Sequence, residues 1–135
     1  MGQCYDSNIT IKFKNNDPKK FCAAIKNKMT QMHNNRDIQL NEYQIKTNWN
    51  DPLECLKAVA SNENEYIYSY KENGTYHYES DFYGSYGWEW AMGIILEDAA
   101  KYCDNDSVLE FCADMSGQHT IKVIDGQVSH TYKEI

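Results

Sequence analysis

The chain has 135 residues, of which 41% are hydrophobic and 24% charged, with a net charge of −7 at pH 7. That length and composition predict a single domain with a core of its own and exclude a low-complexity or disordered chain. No apolar run reaches the ~18 residues a membrane helix needs; the longest runs from Ala91 to Leu96 and contains Gly93.

The first residues lack the apolar stretch of a secretory signal. Met1-Gly2 is followed by Asp6 where a myristoylation pattern wants Ser or Thr. The five cysteines form an odd set without a C-x-x-C spacing, which suits free thiols in a reducing compartment and predicts a cytoplasmic location. Charge is divided unevenly. Residues 1–47 hold eight Lys/Arg against four Asp/Glu, and residues 48–135 hold five against sixteen. The acidic part repels nucleic acid and attracts basic proteins.

Ser7 to Lys14 alternates Ile9, Ile11 and Phe13 with polar residues, the pattern of a half-buried strand. Asn16-Asp17-Pro18 then starts a helix over 18–33, with Phe21, Cys22, Ile25, Met29 and Met32 on its buried side and lysines opposite. Asp37 to Thr47 reads as a second strand through Ile38, Leu40, Tyr43 and Ile45, bulged near Asn41-Glu42. Asn50-Asp51-Pro52 starts a short second helix ending near Asn62, with Glu54 placed for a capping box. Residues 16–25 and 50–59 therefore look alike, through either a duplicated strand–helix unit or shared capping chemistry.

Glu65 to Asp81 is a hairpin turning at Asn73-Gly74, a strong two-residue turn signal. Its register pairs Tyr70 with His77, Tyr68 with Glu79 and Lys71 with Tyr76. Tyr66, Tyr68 and Tyr70 then share a face with His77, Glu79 and Asp81, while Ile67, Ser69, Tyr76 and Tyr78 share the other. After a loop at 84–87, Trp88 to Cys103 forms the most apolar helix. The tail is a three-stranded meander, Val108–Asp114, Gln118–Ile124 and Gln127–Lys133. A Gly117 turn would set Leu109 against Val123 and Phe111 against Ile121. An Asp125-Gly126 turn sets Val123 against Val128 and Ile121 against His130. The expected fold is α+β and two-layered, a largely antiparallel sheet with three helices on one face, in the order β-α-β-α-β-β-α-β-β-β.

Ten of the 18 aromatic residues fall between Tyr66 and Trp90. Most are tyrosines, whose flat apolar body and polar tip suit interfaces. The hairpin carries Lys71 against Glu72, Glu79 and Asp81, so exposed rings framed by carboxylates suit a basic protein surface better than bases. The candidate partner-binding set is Tyr66, Tyr68, Tyr70, Tyr76, Tyr78, Glu72, Glu79 and Asp81.

Other chemistry is thin. His119 and His130 fall diagonally on one face of the last hairpin with Tyr132 opposite His119, the start of a metal site without an obvious third ligand. No cysteine sits in a nucleophile signature, the paired acids look solvated, and no cofactor motif occurs.

Asp81-Phe82-Tyr83-Gly84-Ser85-Tyr86-Gly87-Trp88-Glu89, followed by a helix and a short acidic meander, resembles small accessory proteins of phages and mobile elements. That group includes anti-defence inhibitors of the anti-CRISPR type. The likeness spans residues 81–126 and carries over no functional residue; it implies an inhibitor acting in the host cytosol. The basic first third departs from a uniformly acidic nucleic-acid mimic. The expectation is a non-enzymatic, acidic, tyrosine-rich binding protein directed at a host nucleic-acid-handling or defence protein, with self-association left open. Two alternatives remain: a protein that sequesters a small anionic ligand such as a nucleotide with Lys12, Lys19, Lys20 or Lys71, and a small enzyme using a metal on His119 and His130 or a Cys/His pair.

Overall fold

The computed structural model describes residues 2–63 and 65–134. Strand β1 (Gly2–Ile11) is followed by a 3-10 turn at Lys14–Asn16 and three helices: α1 (Lys19–Asn34), α2 (Glu42–Ile45) and α3 (Pro52–Ala60). Next come the hairpin β2 (Tyr66–Glu72) and β3 (Thr75–Ser85), then α4 (Trp88–Ala100), and the meander β4 (Val108–Ala113), β5 (Gly117–Ile124) and β6 (Gln127–Glu134). The strands form one six-stranded sheet in the order β2-β3-β1-β4-β5-β6, every neighbouring pair antiparallel. The α+β class is as the patterning predicts, although the order is β-α-α-α-β-β-α-β-β-β.

The expected strand over 37–47 is absent. Asn41 instead begins a single helical turn, its side chain accepting from Gln44 N while Gln44 Oε1 accepts from Asn41 N. Gln44 is buried and donates to the Ala58 carbonyl at 2.9 Å, while Ile45 faces solvent. A polar side chain with a buried acceptor has displaced the hydrophobic alternation. The two Asn-Asp-Pro segments therefore share capping, not a repeated unit: Asp17 accepts from Lys19 N and Asp51 from Leu53 N. Glu54 turns to Lys57 at 3.0 Å.

Burial alternates along every central strand. Tyr5, Ile9 and Ile11 of β1, Tyr78 and Phe82 of β3, Leu109 and Phe111 of β4, and Ile121 and Val123 of β5 are buried on one side. Ile25, Met29, Leu56, Met92, Ile95 and Leu96 from α1, α3 and α4 complete that layer. No helix among the described residues is long and apolar enough to cross a membrane.

Asn73 and Gly74 have φ of 52° and 80°, and Asp125 and Gly126 of 51° and 75°, the left-handed pairs of two-residue hairpin turns. Both hairpins take the expected register. The β4–β5 register is displaced by two residues: Leu109 faces Ile121 and Phe111 faces His119. Gly117 is not a turn residue; it opens β5 opposite Ala113, and a Cβ there would collide with the Lys133 carbonyl. Close approach of β6 at that point admits only glycine.

Candidate functional site

Among the described residues the other side of the sheet carries no helix. On β1 its residues Cys4, Asp6 and Asn8 are exposed, and on β3 Glu79, Asp81 and Tyr83. Antiparallel registers line this face up in rows. One runs Tyr66, Asp81, Asp6, Cys112, Gln118, Lys133; the next Tyr68, Glu79, Asn8, Glu110, Thr120, Thr131; the third Tyr70, His77, Thr10, Val108, Lys122, Ser129. Three tyrosines therefore stand along edge strand β2, with carboxylates beside them, and within these three rows lysines occur only on β5 and β6.

Tyr66, Tyr68 and Tyr70 are 55%, 52% and 41% exposed, whereas Tyr78 is 0% exposed. Tyr70 stacks on His77 with ring centroids 4.4 Å apart and meets Tyr68 at 5.6 Å. The Tyr68, Tyr70 and His77 rings thus restrict one another's motion. Glu72 and Glu79 are exposed, and by strand parity they project from the same face.

Two proposed contact residues belong to the other side. Tyr78 lies in the core and donates to the Ala60 carbonyl at 2.9 Å, tying β3 to the end of α3. Burial pushes its phenol well above the ordinary range. Tyr76 packs on Phe13 at 4.9 Å, with the Lys71 ammonium 5.0 Å from its ring centroid. Tyr78 is a structural residue in this fold, and Tyr76 is a half-buried one at the hairpin's inner face. The alternation that exposes Tyr66, Tyr68 and Tyr70 forces both positions inward.

Asp6, a residue outside the predicted contact set, belongs to the face. It stands directly opposite Asp81 on β3. Burial, with the Asp81 charge as a second cause, raises the Asp6 carboxyl above its usual range. Around this pair lies a hollow of about 330 Å³, edged by Cys4, Asp6, Glu65, Asp81, Tyr83 and Asp114. Four carboxylates and a tyrosine there invite a cation. Alternation extending back from Ser7 could have exposed Asp6; the signal was masked because the inward partners are polar. Ser7 Oγ meets Ser80 Oγ at 2.6 Å, and Tyr5 donates to Glu89 at 2.8 Å while receiving Gln3 Nε2 at 3.0 Å.

The two candidate histidines meet at the opposite edge of the sheet, on the helix side. His119 Nδ1 and His130 Nε2 are 2.9 Å apart, and His130 Nδ1 lies 3.1 Å from Glu97 on α4. Glu97 only accepts, so His130 Nδ1 carries a proton towards it, and the direction of the His119 Nδ1–His130 Nε2 bond follows the protonation of the two rings. The facing nitrogens are engaged with each other, and Phe111 stacks on His119 at 4.6 Å. Burial and the neighbouring His130 lower the pKa of His119, opposed by Glu89. Among the described residues no group of three or more His, Cys, Asp or Glu side chains is arranged to hold a metal ion. The pair joins α4 to the β5–β6 edge.

Of the cysteines, Cys22, Cys55 and Cys103 are buried, Cys112 is half-buried and Cys4 exposed, all as free thiols. Burial pushes Cys103 up to about 12 and also raises Cys112, where Asp6 and Asp114 add to the effect. At Cys103 and Cys112 these conditions suppress thiolate formation, whereas the hydrogen bond from Cys55 lowers the pKa of the buried Cys22.

Comparison with known proteins adds no relative to this geometry: no family model matches the chain, and no curated protein and no solved structure matches it significantly.

Proposed function

We propose that the protein is a non-enzymatic binding module whose open sheet face receives a basic, arginine-bearing segment of another protein. The row of exposed Tyr66, Tyr68 and Tyr70 flanked by Asp81, Glu79 and Asp6 is the observation that carries this reading. Arginine fits both halves of it. A guanidinium stacks on phenol rings and forms paired hydrogen bonds with carboxylates. The acidic hollow beside Asp6 and Asp81 takes the charged tip, and the tyrosine row takes the flanking chain. Ionising Asp6 next to Asp81 is costly in the free protein, and an incoming cation removes that cost. Surfaces that hold nucleic acid are rich in arginine and lysine, so a nucleic-acid-handling or defence protein is the partner class the chemistry favours. An inhibitor that covers such a surface fits the acidic charge of the chain.

Calorimetric titration with an oligoarginine peptide at low and high salt tests this directly. Binding that weakens steeply with salt, and is tighter for arginine than for a lysine peptide of equal length, supports the proposal. Absence of binding at low salt removes it.

A further inference from the structure

A second hollow, of about 430 Å³, lies between the 3-10 turn and the β2–β3 turn. Lys12, Lys71, Asn16 and Asn73 line it together with Tyr76 and Phe13. No lining residue carries a carboxylate, and neither lysine forms an ion pair among the described residues. Asp17 and Glu72 adjoin lining residues in the chain but do not line the hollow, and Asp104 and Asp106 edge the adjoining one beyond Lys12. The positive zone is therefore small, in a chain whose net charge is −7.

The backbone is left-handed on both sides of it. Asn15, Asn16 and Asn73 have φ of 58°, 55° and 52°, and Gly74 of 80°. Two left-handed turns thus face each other across the opening, with the Asn16 side-chain oxygen 3.4 Å from where a Cβ on Gly74 would stand. Asparagine and glycine adopt this conformation most readily, so both turns hold their shape without a ligand. Lys71 is held over Tyr76, so its charge is positioned before a ligand arrives. The helix α1 that follows has no Asp or Glu from Pro18 to Arg36 and begins with the exposed Lys19 and Lys20, which favours approach of an anion.

We propose that this hollow binds a phosphomonoester, with Lys12 and Lys71 balancing the dianion and the Asn16 and Asn73 amides donating to its oxygens. The site is separate from the acidic face and stands or falls independently of it. Free mononucleotides and the 5′-phosphate of a nucleic-acid strand offer the same chemistry.

Titration of the isotopically labelled full chain at low ionic strength, followed by amide NMR, tests the site with AMP, adenosine and a short oligonucleotide with and without its 5′-phosphate. AMP should shift Asn16, Asn73 and Gly74 saturably, whereas adenosine should not. The double variant Lys12→Gln/Lys71→Gln, altered only at exposed side chains, should keep its melting temperature and lose affinity at least tenfold. Stronger binding of the phosphorylated strand than of AMP would identify a strand end as the ligand, and the reverse a free nucleotide. No shift at these residues, equal shifts from adenosine, or unchanged affinity in the double variant would overturn the proposal.

Discussion

The β2–β3 hairpin carries one residue type to two opposite fates. Tyr66, Tyr68 and Tyr70 stand in solvent beside Asp81, Glu79 and His77, whereas Tyr78, two strand positions from His77's neighbour Tyr76, is sealed against α3. Tyrosine stands on both sides; parity from the Asn73-Gly74 turn separates them. A tyrosine-rich stretch is therefore two objects, a half of the core and a half of a surface, and the same substitution has opposite consequences on each.

The largest expected effect comes from the buried side. Tyr78→Ala removes a fully buried ring and should cost about 3–5 kcal/mol of stability, read by urea denaturation. Tyr78→Phe keeps the ring and removes only one hydrogen bond, at about 1 kcal/mol, because Ser80 Oγ still donates to the Ala60 carbonyl. The exposed side should respond in the opposite sense. Tyr68→Ala with Glu79→Gln should weaken oligoarginine binding by about tenfold or more while stability changes by less than about 1 kcal/mol. Equal loss of stability in both variants would erase the distinction between the faces.

Asp6 sharpens the contrast, since it belongs to the surface yet its ionisation is disfavoured there. Its folded carboxyl pKa is raised, so its favourable contribution exists below the unfolded value and is lost as pH rises through the folded one. At neutral pH it is a net cost. Asp6→Asn should therefore raise the melting temperature by roughly 1–3 °C at pH 7 and have little effect below about pH 4. The same change should weaken the cationic peptide. A variant that gains stability and also keeps full binding would separate Asp6 from the site.

The smallest effect lies at the far edge. The folded pKa of His119 is lowered, so its contribution is complete above the unfolded value of about 6.5 and disappears as pH falls through the folded one. Wild type should lose stability on acidification from pH 7.5 to 5.5, and His119→Gln should lose less of it. Chemical denaturation at the two pH values measures this, and equal losses would place the acid sensitivity elsewhere.

Much of this arrangement is legible from residue types alone. The two left-handed turns set both hairpin registers, and the exposed tyrosine row follows from the first of them. What is not legible depends on partners remote in the chain. Gln44 is helical and buried because Ala58 offers a carbonyl 14 residues later. Asp6 joins the surface because Ser7 finds Ser80 and points inward, which extends β1 back to Gly2. Gly117 belongs to a strand because β6, nearly at the end of the chain, passes too close for any side chain. Polar residues with distant partners are where periodicity fails, and they are also what shapes the acidic end of the open face.

Amide NMR mapping of the full chain with an oligoarginine peptide tests the central claim most directly. Saturable shifts confined to β2, β3 and β1 around Tyr66, Tyr68, Glu79, Asp81 and Asp6, with the α1 and α4 amides unmoved, are the predicted result. Shifts that centre on the helical layer, or none near the tyrosine row, would contradict it.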